Sequence, residues 1–156
     1  MTTLENIKAQ IEETHSDRQI YGAEPGIVEK GTAHGFPYMV VTFGSHPCAY
    51  VAVDERHPLH GVRYDGNYDL FDEIEVHGGV TFTDRRPCFC EESNLWWIGW
   101  DYNHWGDYNA RMVGDIPGYG AFEPLHVWSL HEILMDVESA ARKLKEMELG
   151  YDDGRD

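Results

Sequence analysis

Two short stretches concentrate the groups that can do chemistry. Val76-His77-Gly78-Gly79-Val80-Thr81-Phe82 carries one histidine, and Trp96 to Asp107 carries His104 with Asp101 and Asp107. Together they set two histidines, two aspartates and four tryptophans beside four glycines. A plain apolar core has no use for that mixture. Imidazole exchanges protons near neutrality, a carboxylate can orient it, and glycine lets a ligand approach the backbone. Asp101, His104 and Asp107 recur at i, i+3 and i+6, so one turn brings all three towards a common point.

Three readings of that cluster stay open at the level of sequence. His77, Asp101, His104 and Asp107 can serve as catalytic acid and base groups, an aspartate orienting an imidazole for proton transfer. The same four can ligate a divalent cation. Or the aspartates cap turns and the histidines bond loop carbonyls, which Asp and Asn do routinely. Thr81, Arg85, Trp97, Trp105 and Arg111 are the candidate ligand-binding residues. Arginine meets phosphate bidentately, and exposed indoles stack on a base or sugar. Cys88-Phe89-Cys90 lacks a second pair for structural zinc. Asp65-Gly66-Asn67-Tyr68-Asp69 begins like a calcium loop, but Leu70 stands where glycine is needed and Val76 where glutamate is needed. P-loops, nucleophile elbows and dinucleotide fingerprints are absent.

The elements that must position these groups read as an α+β domain with a mostly antiparallel or mixed sheet. Thr2 and Glu5 form a capping-box pattern ahead of Leu4, Ile7 and Ile11, which predicts a helix over 3–14. Phe36–Phe43 and Cys48–Val53 read as a hairpin around Gly44 to Pro47. Residues 54–72 are turn-rich, with His57 and His60 flanking Pro58. Ile74–Thr83 and Leu95–Tyr102 read as further strands. Side chains alternate along a strand. Val76, Gly78, Val80 and Phe82 then share one face, with His77, Gly79 and Thr81 on the other. Trp96, Ile98 and Trp100 take the core side of their strand, opposite Trp97, Gly99 and Asp101. On this pattern His77, Thr81 and Asp101 project from a glycine-bare surface into a shared hollow. Residues 103–127 read as a long loop. Ser129 and Glu132 form a second capping box, with Trp128 placed to staple onto Ile133. Leu130, Ile133, Leu134, Val137, Ala141 and Leu144 form an apolar stripe predicting a helix from about 130 to 148, ended by Gly150. Residues 1–150 read as one domain and 151–156 as a disordered acidic tail.

Bulk properties narrow the partners. At 156 residues, 42% apolar and 26% charged, the chain suits one domain with an ordinary core. The formal net charge of −16 repels long polyanions and anionic membrane surfaces. The least charged run, Phe36 to Val53, is interrupted by Gly44, Ser45, His46 and Pro47, short of a membrane span. Met1-Thr2-Thr3 leads into an acidic and basic helix pattern and reads as no secretion signal. Cys48, Cys88 and Cys90, odd in number, then read as reduced cytosolic thiols.

The chain also resembles a set of small proteins of bacteriophage and prophage genomes. Their pattern runs Gly-Tyr-Val-x-Val, His-Pro-x-x-Gly and a Val-His-Gly-Gly-Leu-Thr-Tyr-like strand. It continues through Trp-Trp-x-Gly-Phe-Asp-Cys-Ala-His-x-Gly-Asp to a helix rich in Glu and Leu. Here the elements are Ala49-Tyr50-Val51-Ala52-Val53, His57-Pro58-Leu59-His60-Gly61, His77 to Phe82, Trp96 to Asp107 and Leu130 to Leu149. They cover roughly residues 36–149. The chain departs at Tyr102-Asn103, where the pattern has Cys-Ala, which argues against a thiol nucleophile. The resemblance implies a phage protein in the host cytosol, and analogy with small phage proteins that cleave or sequester nucleotide signals points to action against host defence. The leading expectation is binding, and hydrolysis, of a small nucleotide-like ligand, by a monomer or homo-oligomer. The alternatives are a non-catalytic sponge for a nucleotide signal, and an acidic inhibitor that docks on a basic host protein.

Overall fold

A computed structural model of the chain describes residues 20–121 and 124–153. The helix expected over 3–14 lies outside them. The elements run β1 (Gly26–Ala33), β2 (Phe36–Thr42), β3 (Pro47–Val53), α1 (Tyr68–Phe71), β4 (Phe82–Asp84), β5 (Trp96–Asp101), α2 (Ala110–Asp115) and α3 (Leu130–Asp153). The strands form one sheet in the order β1-β2-β3-β5-β4, and every pairing is antiparallel. The fold is α+β. None of the described helices is long and apolar enough to cross a membrane.

Strand β1 carried no clear signal, because Glu29, Lys30 and Gly31 interrupt its apolar residues and a bulge falls between Ile27 and Glu29. Its turn into β2 is the two-residue type that favours left-handed backbone, with His34 at φ 50° and Gly35 at φ 87°. All seven residues of β3 are buried. The reason is that both faces of the sheet are covered, so its central strands are apolar throughout rather than alternating. Helix α3 lies on one face. Its stripe, Leu130, Ile133, Leu134, Val137, Ala141 and Leu144, is buried with Val40, Val51, Ile98 and Trp100. Each large aliphatic so placed contributes about 1.5–3 kcal/mol of burial. The opposite face holds a smaller cluster of Met39, Val41, Cys48, Tyr50, Ala52 and Trp97, closed over by the loop between β4 and β5.

Three expectations are corrected. Residues 74–81 are not strand: only Phe82–Asp84 pairs with β5. Gly78 and Gly79 both take left-handed backbone, φ 72° and 78°, and Gly79 N–H closes a turn on Val76 O at 3.0 Å. Strand parity therefore does not run through His77. Val76 and Val80 pack on the main core while Phe82 packs on the other cluster. The last helix passes through Gly150 to Asp153 instead of stopping at Gly150. Residues 103–127 include α2, whose N-cap Asn109 accepts the Met112 N–H at 2.9 Å. In β5 the expected parity holds: Trp96, Ile98 and Trp100 enter the main core and Trp97 the smaller one.

Candidate functional site

Asp107 is the hub. The turn that carries it is pinned to the segment before α3: Tyr108 N–H donates to His126 O and His126 N–H to Gly106 O. Its carboxylate is 3% exposed. Oδ2 accepts His77 Nε2 at 2.7 Å and the His104 backbone N–H at 2.9 Å, and Oδ1 accepts Trp128 Nε1 at 2.8 Å. Burial acts alone to raise its pKa and is the largest single influence. The bonds from His104, His77 and Trp128 outweigh it together, and Asp107 titrates below the usual carboxylate range. An ionised Asp107 requires the His77 proton on Nε2, which leaves Nδ1 as the basic nitrogen.

The His77 ring is boxed by aromatic groups. It stacks on Tyr102 at 5.3 Å and 13°, lies 4.4 Å from the Trp128 ring, and meets His104 edge-on at 5.3 Å. Helix α3 holds the assembly through Asp136. Its Oδ2 accepts the Tyr102 hydroxyl at 2.6 Å and the His77 backbone N–H at 3.3 Å. Tyr102 also accepts Trp100 Nε1 at 3.0 Å. Burial first, and the Asp136 charge second, push the Tyr102 hydroxyl well above its ordinary pKa, so it stays protonated. Tyr102 thus serves as a buried platform under His77.

Asp101 belongs to the same neighbourhood on the other side of β5. Its carboxylate accepts the Thr81 hydroxyl at 3.2 Å and the Asn103 N–H at 3.1 Å. His104 Nε2 lies 3.2 Å from Asp101 Oδ1, but off line for a hydrogen bond, and that nitrogen is buried without a hydrogen-bond partner. It sits over Gly78, where an added Cβ would stand 2.2 Å away. A glycine at 78 is needed twice, for its backbone and for His104.

All four candidate catalytic residues therefore come together. The hollow expected between them does not take the expected form. Gly99, expected bare, is covered by the Tyr50 ring. A cavity of about 350 Å³ lies alongside, walled by Trp105, Gly106, Tyr119 and Leu125 with Gly118 and Gly120. Its walls include none of the four, yet Trp105-Gly106 is the dipeptide between His104 and Asp107. Trp105 is 89% exposed and free to stack, whereas Trp97 is buried in the smaller core, which corrects its expected role. Arg85 is exposed beyond β4, its own N–H bonded to Asp84 at 2.6 Å. Arg111 is exposed on α2, 3.8 Å from Asp115. Among the described residues no three His, Cys, Asp or Glu are placed to hold a metal ion. At the hub both Asp107 oxygens already accept protein donors.

Sequence reasoning missed His46. It lies in the β2–β3 turn, its Nδ1 2.9 Å from Ser45 Oγ. Burial lowers its pKa, and the charges of Asp101 and Asp107 partly offset the effect, which places it in their field. A histidine beside proline in a hairpin reads as turn chemistry, and no spacing rule links it to residues as far along the chain as Asp101 and Asp107. Asp136 was hidden in the same way, as one more acidic residue on a helix. Comparison with protein-family models, curated proteins and solved structures finds no match for this chain.

Proposed function

We propose that the protein binds a small nucleotide-like ligand and hydrolyses it by acid–base chemistry. The observation that carries the reading is the His77–Asp107 pair, 2.7 Å apart, with the His104 ring edge-on beside it. Asp107 holds the Nε2–H tautomer, so His77 Nδ1 takes the proton from an attacking water. His104 gives a proton to the departing oxygen, and the two rings are restored by exchange with solvent. The planar end of the ligand stacks on Trp105 in the neighbouring cavity. Resemblance to phage proteins adds the context: a host-defence signal of nucleotide type, met in the cytosol. The test is incubation of purified protein with cyclic nucleotides and ADP-ribose derivatives, with products followed by chromatography. New product from the wild type, reduced about 100-fold or more by His77→Ala, supports the reading. Unchanged substrate, or full turnover by His77→Ala, overturns it.

A sequestering role is the second reading, favoured by the exposed Trp105 at the cavity mouth. It predicts intact ligand released on heat denaturation, stoichiometric binding that survives His77→Ala, and loss of binding in Trp105→Ala.

A further inference from the structure

We propose that the sheet face opposite α3 carries a soft-metal site, formed by Cys88, Cys90 and Met39 and suited to monovalent copper. The site is separate from the His77 cluster and does not depend on the reading above.

The placement starts from β-sheet register. Met39 and Tyr50 are direct partners across β2 and β3, so their side chains stand together on that face. The loop between β4 and β5 folds over them. The Cys90 thiol points at Met39 Sδ at 3.8 Å, and Cys88 packs against the same cluster of Met39 and Tyr50. Both thiols thus face that cluster from one loop. Between them Phe89 is held at φ 70°, a left-handed backbone that disfavours a non-glycine residue. Such strain persists where surroundings enforce it, and it concentrates at ligand-binding positions. With metal–sulfur bonds of about 2.3 Å, sulfurs 3.8 Å apart subtend roughly 110° at a shared ion.

Access and charge agree with a cation. Cys88 and Cys90 are half-buried and line a cavity of about 670 Å³ whose charged walls are Asp84, Glu91 and Arg86, two carboxylates against one guanidinium. Thiolate and thioether donors select monovalent copper over harder ions. Zinc wants four nitrogen, oxygen or sulfur donors, and no third His, Cys, Asp or Glu is placed to help among the described residues. On binding, the copper(I) ion displaces a proton from each thiol and takes the Met39 lone pair, with no change of oxidation state. Cys48 belongs to the same cluster but forms no group of three with Cys88 and Cys90 placed to hold a metal ion, and it serves as the control.

The test is titration of fully reduced protein with copper(I), without oxygen, against a chromogenic copper(I) chelator such as bathocuproine disulfonate. The wild type is expected to retain a single ion per chain. Cys88→Ala and Cys90→Ala should each weaken retention about 100-fold, and Met39→Leu about 10-fold. Cys48→Ala should leave it unchanged. Circular dichroism on each variant separates loss of the ion from loss of the fold, and X-ray absorption should show a sulfur-only shell. Complete surrender of copper to the chelator by the wild type, or equal retention by a folded Cys90→Ala, overturns the proposal. So does a preference for zinc.

Discussion

Asp107→Asn keeps the shape of the hub and removes its charge, so the cost can be worked from the bonds. Three donors converge on the carboxylate: His77 Nε2 and His104 N–H on one oxygen, Trp128 Nε1 on the other. An amide has a single acceptor oxygen. Set towards His77 and His104, it turns its NH₂ against the indole N–H and leaves a buried donor unpaired. Set the other way, it strands two donors. The first arrangement is cheaper, at about 1–3 kcal/mol for the orphaned indole. The two remaining bonds also fall from charge-assisted to neutral strength, roughly a halving. The expected loss is about 3 kcal/mol, which lowers the melting temperature of a domain this size by about 10 °C. Urea unfolding of both proteins across a pH series measures it. Asp107 titrates below its unfolded value, so its contribution is fully present above about pH 4 and disappears as pH falls through the folded pKa. The gap between wild type and variant should therefore close in acid. A variant within 1 kcal/mol of wild type at pH 7, or a gap that persists at the lowest pH where both fold, refutes the hub.

Three further perturbations have defined outcomes. Gly78→Ala should cost more than Gly79→Ala: both glycines have positive φ, but only at 78 does the new Cβ collide with His104 Nε2. Equal losses on urea unfolding would count against the packing of His104 over Gly78. His57 is buried neutral, with Nε2 on Leu144 O at 2.8 Å and Nδ1 accepting Leu59 N–H at 3.0 Å. Burial lowers its pKa, so below about pH 6.5 the unfolded chain takes the proton first and stability falls towards the folded pKa. His57→Gln should flatten that slope, and an unaltered slope contradicts the assignment. Ser129→Ala breaks a capping box in which Ser129 N–H and Oγ reach Glu132 at 3.0 and 3.1 Å, and Glu132 N–H returns to Ser129 at 3.2 Å. About 1 kcal/mol should be lost by calorimetry. No loss would mean water replaces the cap.

Periodicity was legible where one physical force dominates. The α3 stripe, the capping box at Ser129 and the inward face of Trp96, Ile98 and Trp100 all follow from burial on one side of an element. It failed where local backbone chemistry intervened. Gly78-Gly79 sits amid β-formers, and only the left-handed turn reveals that Val76 to Thr81 is a loop delivering His77 rather than a strand displaying it. The convergence of Asp101, His104 and Asp107 was readable from their types and short spacing, whereas His77 was expected beside them from a strand parity that the Gly78-Gly79 turn breaks. Their supports were not. Tyr102, Trp128 and Asp136 meet His77 through tertiary packing, and a buried tryptophan such as Trp97 differs from an exposed one such as Trp105 only in the folded chain.

The arrangement of the two groups at the centre is open to direct observation by long-range ¹H–¹⁵N NMR of the histidine side chains. At neutral pH the His77 ring should be found with its proton on Nε2, and Asp107→Asn should shift that resonance or release the tautomer. A His77 ring protonated on Nδ1, or one indifferent to Asp107→Asn, would contradict the acid–base pairing on which the proposed chemistry rests.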